Sequence, residues 1–291
     1  MYNLVAKTKI FFIISCVLIA ISLTSLILWG LKPGIDFTGG TMMEVNYSNQ
    51  LPSAAAIKDQ LKEFNLGQID VRFSDENGAV LRFAEVSEPI HQEILQKLGQ
   101  PEEVRYESIG PTIGKELTRK AAWAVFLVVV AILLYLAWAF RKLSKVIKKG
   151  ESWRYGAGAI LALIHDIIVM LGFFAISGHF MGTEINATFI VAILTVLGYS
   201  VNDTIVVYDR IRENLLVDGW RDLKGTINRS LNEVIVRSLG TTITTVLVIL
   251  AVFLFGGASI RDFALAMMVG VSTGAWSSLA IAAPFLIFKR K

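Results

Sequence analysis

Two acids and a histidine stand in this chain where hydrocarbon is expected. Asp203 closes an apolar run as Gly198-Tyr199-Ser200-Val201-Asn202-Asp203-Thr204, and Asp166 follows His165 inside the run before it. A charged side chain at the bilayer centre costs about 2.5–3.5 kcal/mol on insertion scales, so carboxylates at that depth mark ion or substrate paths. On a helix Tyr199 and Asp203 are i,i+4 neighbours, with Arg210 two turns further along nearly the same face. Asp203 lies roughly 9 Å, at 1.5 Å per residue, from the end of its run, and Asp166 is about as deep in its own. Consecutive antiparallel helices would bring the two carboxylates to similar depth, where a proton or sodium site is built. Asp203, Asp166, His165, Tyr199 and Asn202 are therefore candidates for an ion pathway. The competing reading is that these groups only hydrogen-bond neighbouring helices into place.

Arg237 is the sixth candidate. It opens the fifth apolar run and is followed by Ser238, Thr241, Thr242, Thr244 and Thr245. An arginine at a helix N-terminus opposes the local dipole and calls for an acidic partner. Its alternative is a snorkelling interfacial charge. The hydroxyls either line a hydrated path or pack against a neighbour. His91 and His179 are isolated in sequence, so no metal site is expected. Cys16 is the single cysteine, which excludes an intramolecular disulfide.

The elements that must hold these groups are six apolar runs, near Ile10–Leu31, Ala121–Phe140, Ala157–Ser177, Ala187–Tyr208, Thr241–Gly257 and Phe263–Phe288. Each is long enough to cross about 30 Å of hydrocarbon, in a chain of 291 residues that is 54% hydrophobic. Lys7 and Lys9, the stretch from Arg141 to Arg154, the one from Arg210 to Arg237 and the tail Lys289-Arg290-Lys291 all fall on one side, against Arg261 alone in the short loops opposite. Both termini are therefore expected in the cytoplasm. The positive balance is this bias and not a nucleic-acid footprint. The first run has no small-x-small cleavage site before Lys32 and reads as an uncleaved anchor. Three regions result: 1–31 with the first span, an extracytoplasmic (periplasmic) insert over 32–118, and 119–291 with five spans.

The insert is acidic, with 14 Asp and Glu against 7 Lys and Arg over Asp36–Thr118. Alternation predicts strands at Thr41–Tyr47, Ile69–Phe73, Ala79–Phe83 and Val104–Ser108, with a Ser-Asp-Glu-Asn-Gly turn between the middle two. Helical spacing predicts Pro52–Phe64 and Glu88–Leu98. The order β-α-β-β-α-β is that of a ferredoxin-like split βαβ unit. Gly110 to Glu116 echoes a phosphate loop but is one residue short, with Glu where a magnesium-binding hydroxyl belongs. A small α/β module with no such site is a binding surface and not an enzyme, and no cofactor is expected. In the last run Ala266, Gly270, Gly274 and Ser278 form a stripe for close helix packing. Asp209–Val236 reads as an amphipathic stretch along the cytoplasmic interface, within a segment 209–238 that includes Trp220.

Together these runs resemble the SecF family of bacterial protein-export membrane proteins over essentially the whole chain. The carrying residues are Gly34-Ile35-Asp36-Phe37-Thr38-Gly39-Gly40, His165-Asp166, the run from Gly198 to Thr204 with Asp209-Arg210-Ile211-Arg212-Glu213-Asn214, and Arg237-Ser238. The resemblance implies a polytopic α-helical membrane protein with six transmembrane helices, one half of a twelve-span assembly of the resistance-nodulation-division type. SecD would supply the other half. It also implies a place in the bacterial inner membrane, beside the SecYEG channel with SecA and YajC, helping preproteins leave on the outer side at the expense of a proton or sodium gradient. The family ties the residues matching Asp203 and Arg237 to the ion path, and Asp166 less directly. Two other readings share the topology: a small-molecule or lipid exporter half of the same superfamily, and a clamp on the export channel that conducts nothing.

Overall fold

The computed structural model describes residues 2–48, 51–73, 77–140, 153–219 and 221–287. The basic loop from Arg141 to Lys149, Trp220, Ser74 to Glu76 of the expected turn, and the terminal Lys289-Arg290-Lys291 lie outside the described residues. The chain divides into two compact units, Pro33–Trp123 and the remainder.

In the first of these, a turn of helix α2 (Ile35–Thr38) leads into strand β1 (Gly40–Asn46). Helix α3 (Ala54–Gln60), strands β2 (Asp70–Phe73) and β3 (Gly78–Phe83), helix α4 (Glu88–Lys97) and strand β4 (Glu102–Ile109) follow in the expected order. The strands pair antiparallel as β2-β3-β1-β4. The expected helix from Pro52 starts later: Ser53 is the cap, its Oγ accepting from the Ala56 amide at 3.2 Å, and Pro52 lies before it. Alternation puts Met43 and Val45 of β1, with Ala79, Leu81 and Phe83 of β3, on one buried face against Ile57, Leu61, Ile94 and Leu98.

Gly39 and Gly40 connect α2 to the sheet with φ of 75° and 121°. A β-carbon at Gly39 would lie 2.9 Å from Pro111 Cα, and one at Gly40 2.9 Å from the Phe83 carbonyl oxygen. Both reasons for glycine, torsion and close approach, apply at once. Gly114 completes the crossing, because a β-carbon there would lie 2.9 Å from the Gly39 amide. Pro111 to Glu116, which echoes a phosphate loop in sequence, is thus the first turns of helix α5 (Pro111–Phe140), which begins ten residues before the apolar run. Pro111 suits that start, where a missing amide costs nothing.

The second unit holds the spans. Helix α1 (Thr8–Leu28) is followed by α5, α6 (Trp153–Phe180), α7 (Ala187–Asp218), α8 (Leu223–Phe255) and α9 (Ala258–Ser277). A π-helical turn over Ser278–Ala282 and a short α10 (Ala283–Phe285) extend α9. Among the described residues, six helical segments are long and apolar enough to cross a membrane. Pro284 accounts for the π turn: it has no amide for the Ala280 carbonyl, and its ring crowds that position. The Ala283 amide reaches back to the Ser278 carbonyl instead.

Small residues set the crossings. A side chain at Gly172 of α6 would collide with Ser22 of α1, and Ser25 Oγ bonds the Gly172 carbonyl at 3.1 Å. Gly270 of α9 meets Val196 of α7, and a β-carbon at Gly274 would lie 3.0 Å from Ser200 Cβ. The Ala266–Ser278 stripe is a contact within the bundle. The stretch expected to lie along the interface does something else: Asp209–Asp218 continues α7, and Leu223–Val236 begins α8. Its apolar positions Ile211, Leu215, Ile227 and Leu231 are buried within the bundle. Arg210 bonds Glu213 at 2.8 Å and Glu233 at 2.7 Å, and Arg229 pairs with Asp218 at 2.9 Å. An amphipathic pattern gives the same sequence signal whether its apolar face meets lipid or a second helix.

Replacing Gly40 by Ala is expected to destabilise the Pro33–Trp123 unit by about 2–4 kcal/mol, from a strained torsion and a backbone collision together. Gly30→Ala, also at positive φ (67°) but with nothing within 4 Å, is expected to cost only about 1 kcal/mol. Limited proteolysis against temperature on the two variants tests the difference.

Candidate functional site

Asp166, on the buried face of α6, is 1% exposed. Its Oδ2 accepts from Ser200 Oγ of α7 at 2.6 Å and from Ser277 Oγ at the end of α9 at 2.7 Å. Its Oδ1 faces His165 Nδ1 at 3.0 Å. With the proton assigned to Nδ1, three donors surround two oxygens, the surroundings an acceptor-only carboxylate requires. The donors come from three helices that reach it only because Gly274 and Ser200 let α9 and α7 touch.

Asp203 is 7% exposed and differently served. Oδ1 accepts from Ser238 Oγ of α8 at 2.8 Å, and Oδ2 is buried with no hydrogen-bond partner among the described residues. Tyr199, one turn before Asp203, buries its hydroxyl without a hydrogen-bond partner among the described residues, as does Thr242, one turn after Ser238. The i,i+4 pairs Tyr199–Asp203 and Ser238–Thr242 lie on facing stripes of the antiparallel α7 and α8. The seam therefore concentrates three unmet polar atoms, one of them the carboxylate's own Oδ2. Buried polar atoms without partners are rare in folded chains, and a carboxylate with a free lone pair can take up a proton or a small cation.

The two acids are neighbours through hydroxyls. Thr204, next to Asp203, shares a 3.0 Å hydrogen bond with Ser278, and Ser277 serves Asp166. The π turn keeps its register by another bond, from the Tyr208 hydroxyl to the Ala282 carbonyl at 2.9 Å.

Of the sequence candidates, Asp203, Tyr199, Asp166 and His165 gather here. His165 Nε2 is a further buried nitrogen without a partner among the described residues. Asn202 does not join them: it is exposed, about 100° round α7 from Asp203. Arg237 stands exposed beside the Ser238 that serves Asp203. The acidic partner expected for it is not found: Arg237 makes no ion pair among the described residues. It borders a cavity of about 450 Å³ that Asp209, Glu213 and Glu233 also line. The physical reason is that α8 begins fourteen residues earlier, at Leu223, so Arg237 is mid-helix and opposes no terminal dipole.

Sequence reasoning missed Ser200, Ser277 and Thr204 as participants, and read Ser278 only as a small packing residue. Their signal was positional, since each lies within a turn of an acid or beside a glycine notch. Thr241 and Thr244, which drew attention as hydroxyls, bond carbonyls of their own helix. No group of three or more metal-ligating side chains occurs among the described residues.

Comparison with known proteins adds to this geometry. Residues 90–291 match the family model described as protein export membrane protein SecD/SecF, C-terminal, and residues 30–50 match the SecD/SecF GG motif, which contains Gly39 and Gly40. The chain is 34% identical to the protein translocase subunit SecF of Anaerolinea thermophila over 99% of its own length and 94% of that protein's. It is 34% identical to the protein of the same name from Thermobaculum terrenum, over 99% and 93%. A crystal structure of a Thermus SecDF, titled a translocon-associated membrane protein, superposes with a TM-score of 0.84 at 29% identity. It covers 98% of this chain, which spans only 38% of that one.

Ser200→Ala and Ser277→Ala each remove a donor from a buried acid and are expected to cost about 1.5–3 kcal/mol. Thr241→Ala, at an exposed hydroxyl, should cost less than about 0.5 kcal/mol. Thermal melts of the purified variants in detergent check the ranking.

Proposed function

Because the chain belongs to the SecF family, and so is an auxiliary subunit of the Sec translocase that works with SecD, we propose that it couples an ion gradient to preprotein export through Asp203. The observation that carries this reading is the asymmetry of the two acids. Asp166 has its donors around it and serves as the fixed polar centre of the bundle. Asp203 has one oxygen held by Ser238 and one buried without a hydrogen-bond partner among the described residues, with the Ser278 hydroxyl near the carboxyl. Only the second can bind and release an ion without dismantling the helix packing.

One proton moving down about 150–200 mV supplies roughly 3–5 kcal/mol. That is enough to shift a two-state equilibrium between conformations of nearly equal energy. Arg237, exposed beside Ser238, supplies a positive charge that favours the ionised form of Asp203 when the two approach. The further partners on this reading are the SecYEG channel, SecA and YajC. The chain sits in the bacterial inner membrane with both termini cytoplasmic, as its one-sided basic residues favour. It carries out no enzymatic reaction of its own.

The test is gradient-dependent preprotein export in vesicles holding this chain with SecD. Asp203→Asn keeps size and polarity but cannot ionise. It should abolish the gradient-dependent part of export while leaving assembly with SecD intact. Export that still follows the gradient in this variant would reduce Asp203 to a packing residue and leave the clamp reading standing.

A further inference from the structure

Helical spacing lays out the seam between α7 and α8 as a ladder. On α7, Asp203, Val206, Arg210 and Asn214 follow at steps of three and four, and on α8 Ser230, Val234 and Ser238 follow at steps of four. Each set therefore forms one stripe. At one level Ser238 Oγ donates to Asp203 Oδ1 at 2.8 Å. Two levels away Arg210 Nε donates to Glu233 Oε2 at 2.7 Å. Asn214 Nδ2 donates to the same oxygen at 2.7 Å and to Ser230 Oγ at 2.9 Å. The level between these polar ties is held by Val206 and Val234.

The cavity of about 450 Å³ ends at that level. Asp209, Arg210, Glu213 and Glu233 give it charged walls, and Val206 and Val234 line it as well. Asp203 and Ser238, one turn further along each helix, do not line it. Val234 is buried in the bundle's apolar core, and Val206, half-buried, packs against that core. Arg237 also borders the cavity but keeps its side chain exposed. Valine has few rotamers, so a wall built from it has a fixed width. Charged walls admit water, whereas a narrow apolar level excludes it and opens only when the walls part.

We propose that Val206 and Val234 are the hydrophobic barrier of the ion path, closing Asp203 off from the charge-lined cavity between α7 and α8. This barrier rests on the reading that Asp203 carries the ion, and it names the place where that ion is held back. An ion released from Asp203 along this face meets the two valines within one helical turn. Its passage waits on a movement of α8 against α7. A route open at all times would dissipate the gradient without work, so a carboxylate that binds and releases ions needs such a stop beside it.

The decay of an imposed pH or sodium gradient, in vesicles holding this chain with SecD, tests the barrier. Threonine has nearly the shape of valine and adds a hydroxyl that can hold water. Val234→Thr, and Val206→Thr on the facing helix, should each dissipate the gradient about fivefold faster, the gain of one hydrogen bond offered in transit. Val217→Thr, at an exposed position near the end of α7, should leave the rate unchanged. Adding Asp203→Asn to Val234→Thr should remove the extra leak.

A gradient held as in the wild type by either threonine variant, once assembled with SecD, overturns the barrier. So does a leak that survives Asp203→Asn. Tight threonine variants beside an Asp203→Asn chain that has lost gradient-dependent export would strike the barrier and leave the ion reading standing. Export that still follows the gradient in Asp203→Asn takes both away. Val206→Thr, at the half-buried position, decides the matter where Val234→Thr fails to assemble.

Discussion

A carboxylate taken into an apolar bundle must be given hydrogen-bond donors, and in this chain nearly everything about the helix packing serves that requirement. Serine hydroxyls are short, so they reach Asp166 only if the helices bearing them come very close. That closeness requires Gly274 opposite Ser200 and Gly270 opposite Val196. The glycine notches, the serines and the acid are therefore one device spread over three helices. Breaking one partner of a buried charge generally costs more than the intact arrangement contributes, because the remaining charge is left without compensation. The bundle is thus committed to a single arrangement of α6, α7 and α9, against which α8 supplies Ser238 to the less enclosed Asp203.

Much of this was legible from residue order. Hydropathy marked six spans, and alternation with helical spacing marked the strands and helices of the insert, because both signals report the periodicity of a buried face. The anomaly of acids at membrane depth pointed to Asp166 and Asp203. The sequence did not reveal which faces meet. Asn202 and Asp203 are adjacent, yet one is exposed and the other buried, a distinction set by the phase of α7 against its neighbours. For the same reason Arg237 was assigned a terminal dipole it does not face. The stretch after Asp209 was taken for a surface segment although it extends two helices, since a hairpin of amphipathic helices and an interfacial helix differ only in what covers the apolar side. His91 was read as isolated because one of the carboxylates that meet its ring, Glu103 at 2.8 Å from Nε2, comes from strand β4 twelve residues away.

The glycine pair before β1 shows the opposite relation, in which two adjacent letters carry a three-dimensional statement. Gly39 and Gly40 take torsions that other residues avoid, and each lies against backbone, at Pro111 and at the Phe83 carbonyl. Backbone cannot move aside as a flexible side chain can. The start of the sheet and the start of α5 are consequently held at a fixed separation by the absence of two β-carbons. Thr118 adds only a long 3.5 Å bond to the Phe37 carbonyl.

The π turn at Ser278–Ala282 amounts to a single extra residue wound into the last helix. Each residue of an α-helix advances the chain by about 100°, so the extra one resets the angular phase of all that follows. Ser277 just before the turn and Ser278 at its start face Asp166 and Thr204, while Ala282 at its end takes the Tyr208 hydroxyl. An ordinary helix with the same serines in place would carry Ala282 and the residues beyond it round to another side. The bundle therefore measures this stretch in residues as well as in length: wound as regular helix, it would keep α10 against α7 only if one position were removed.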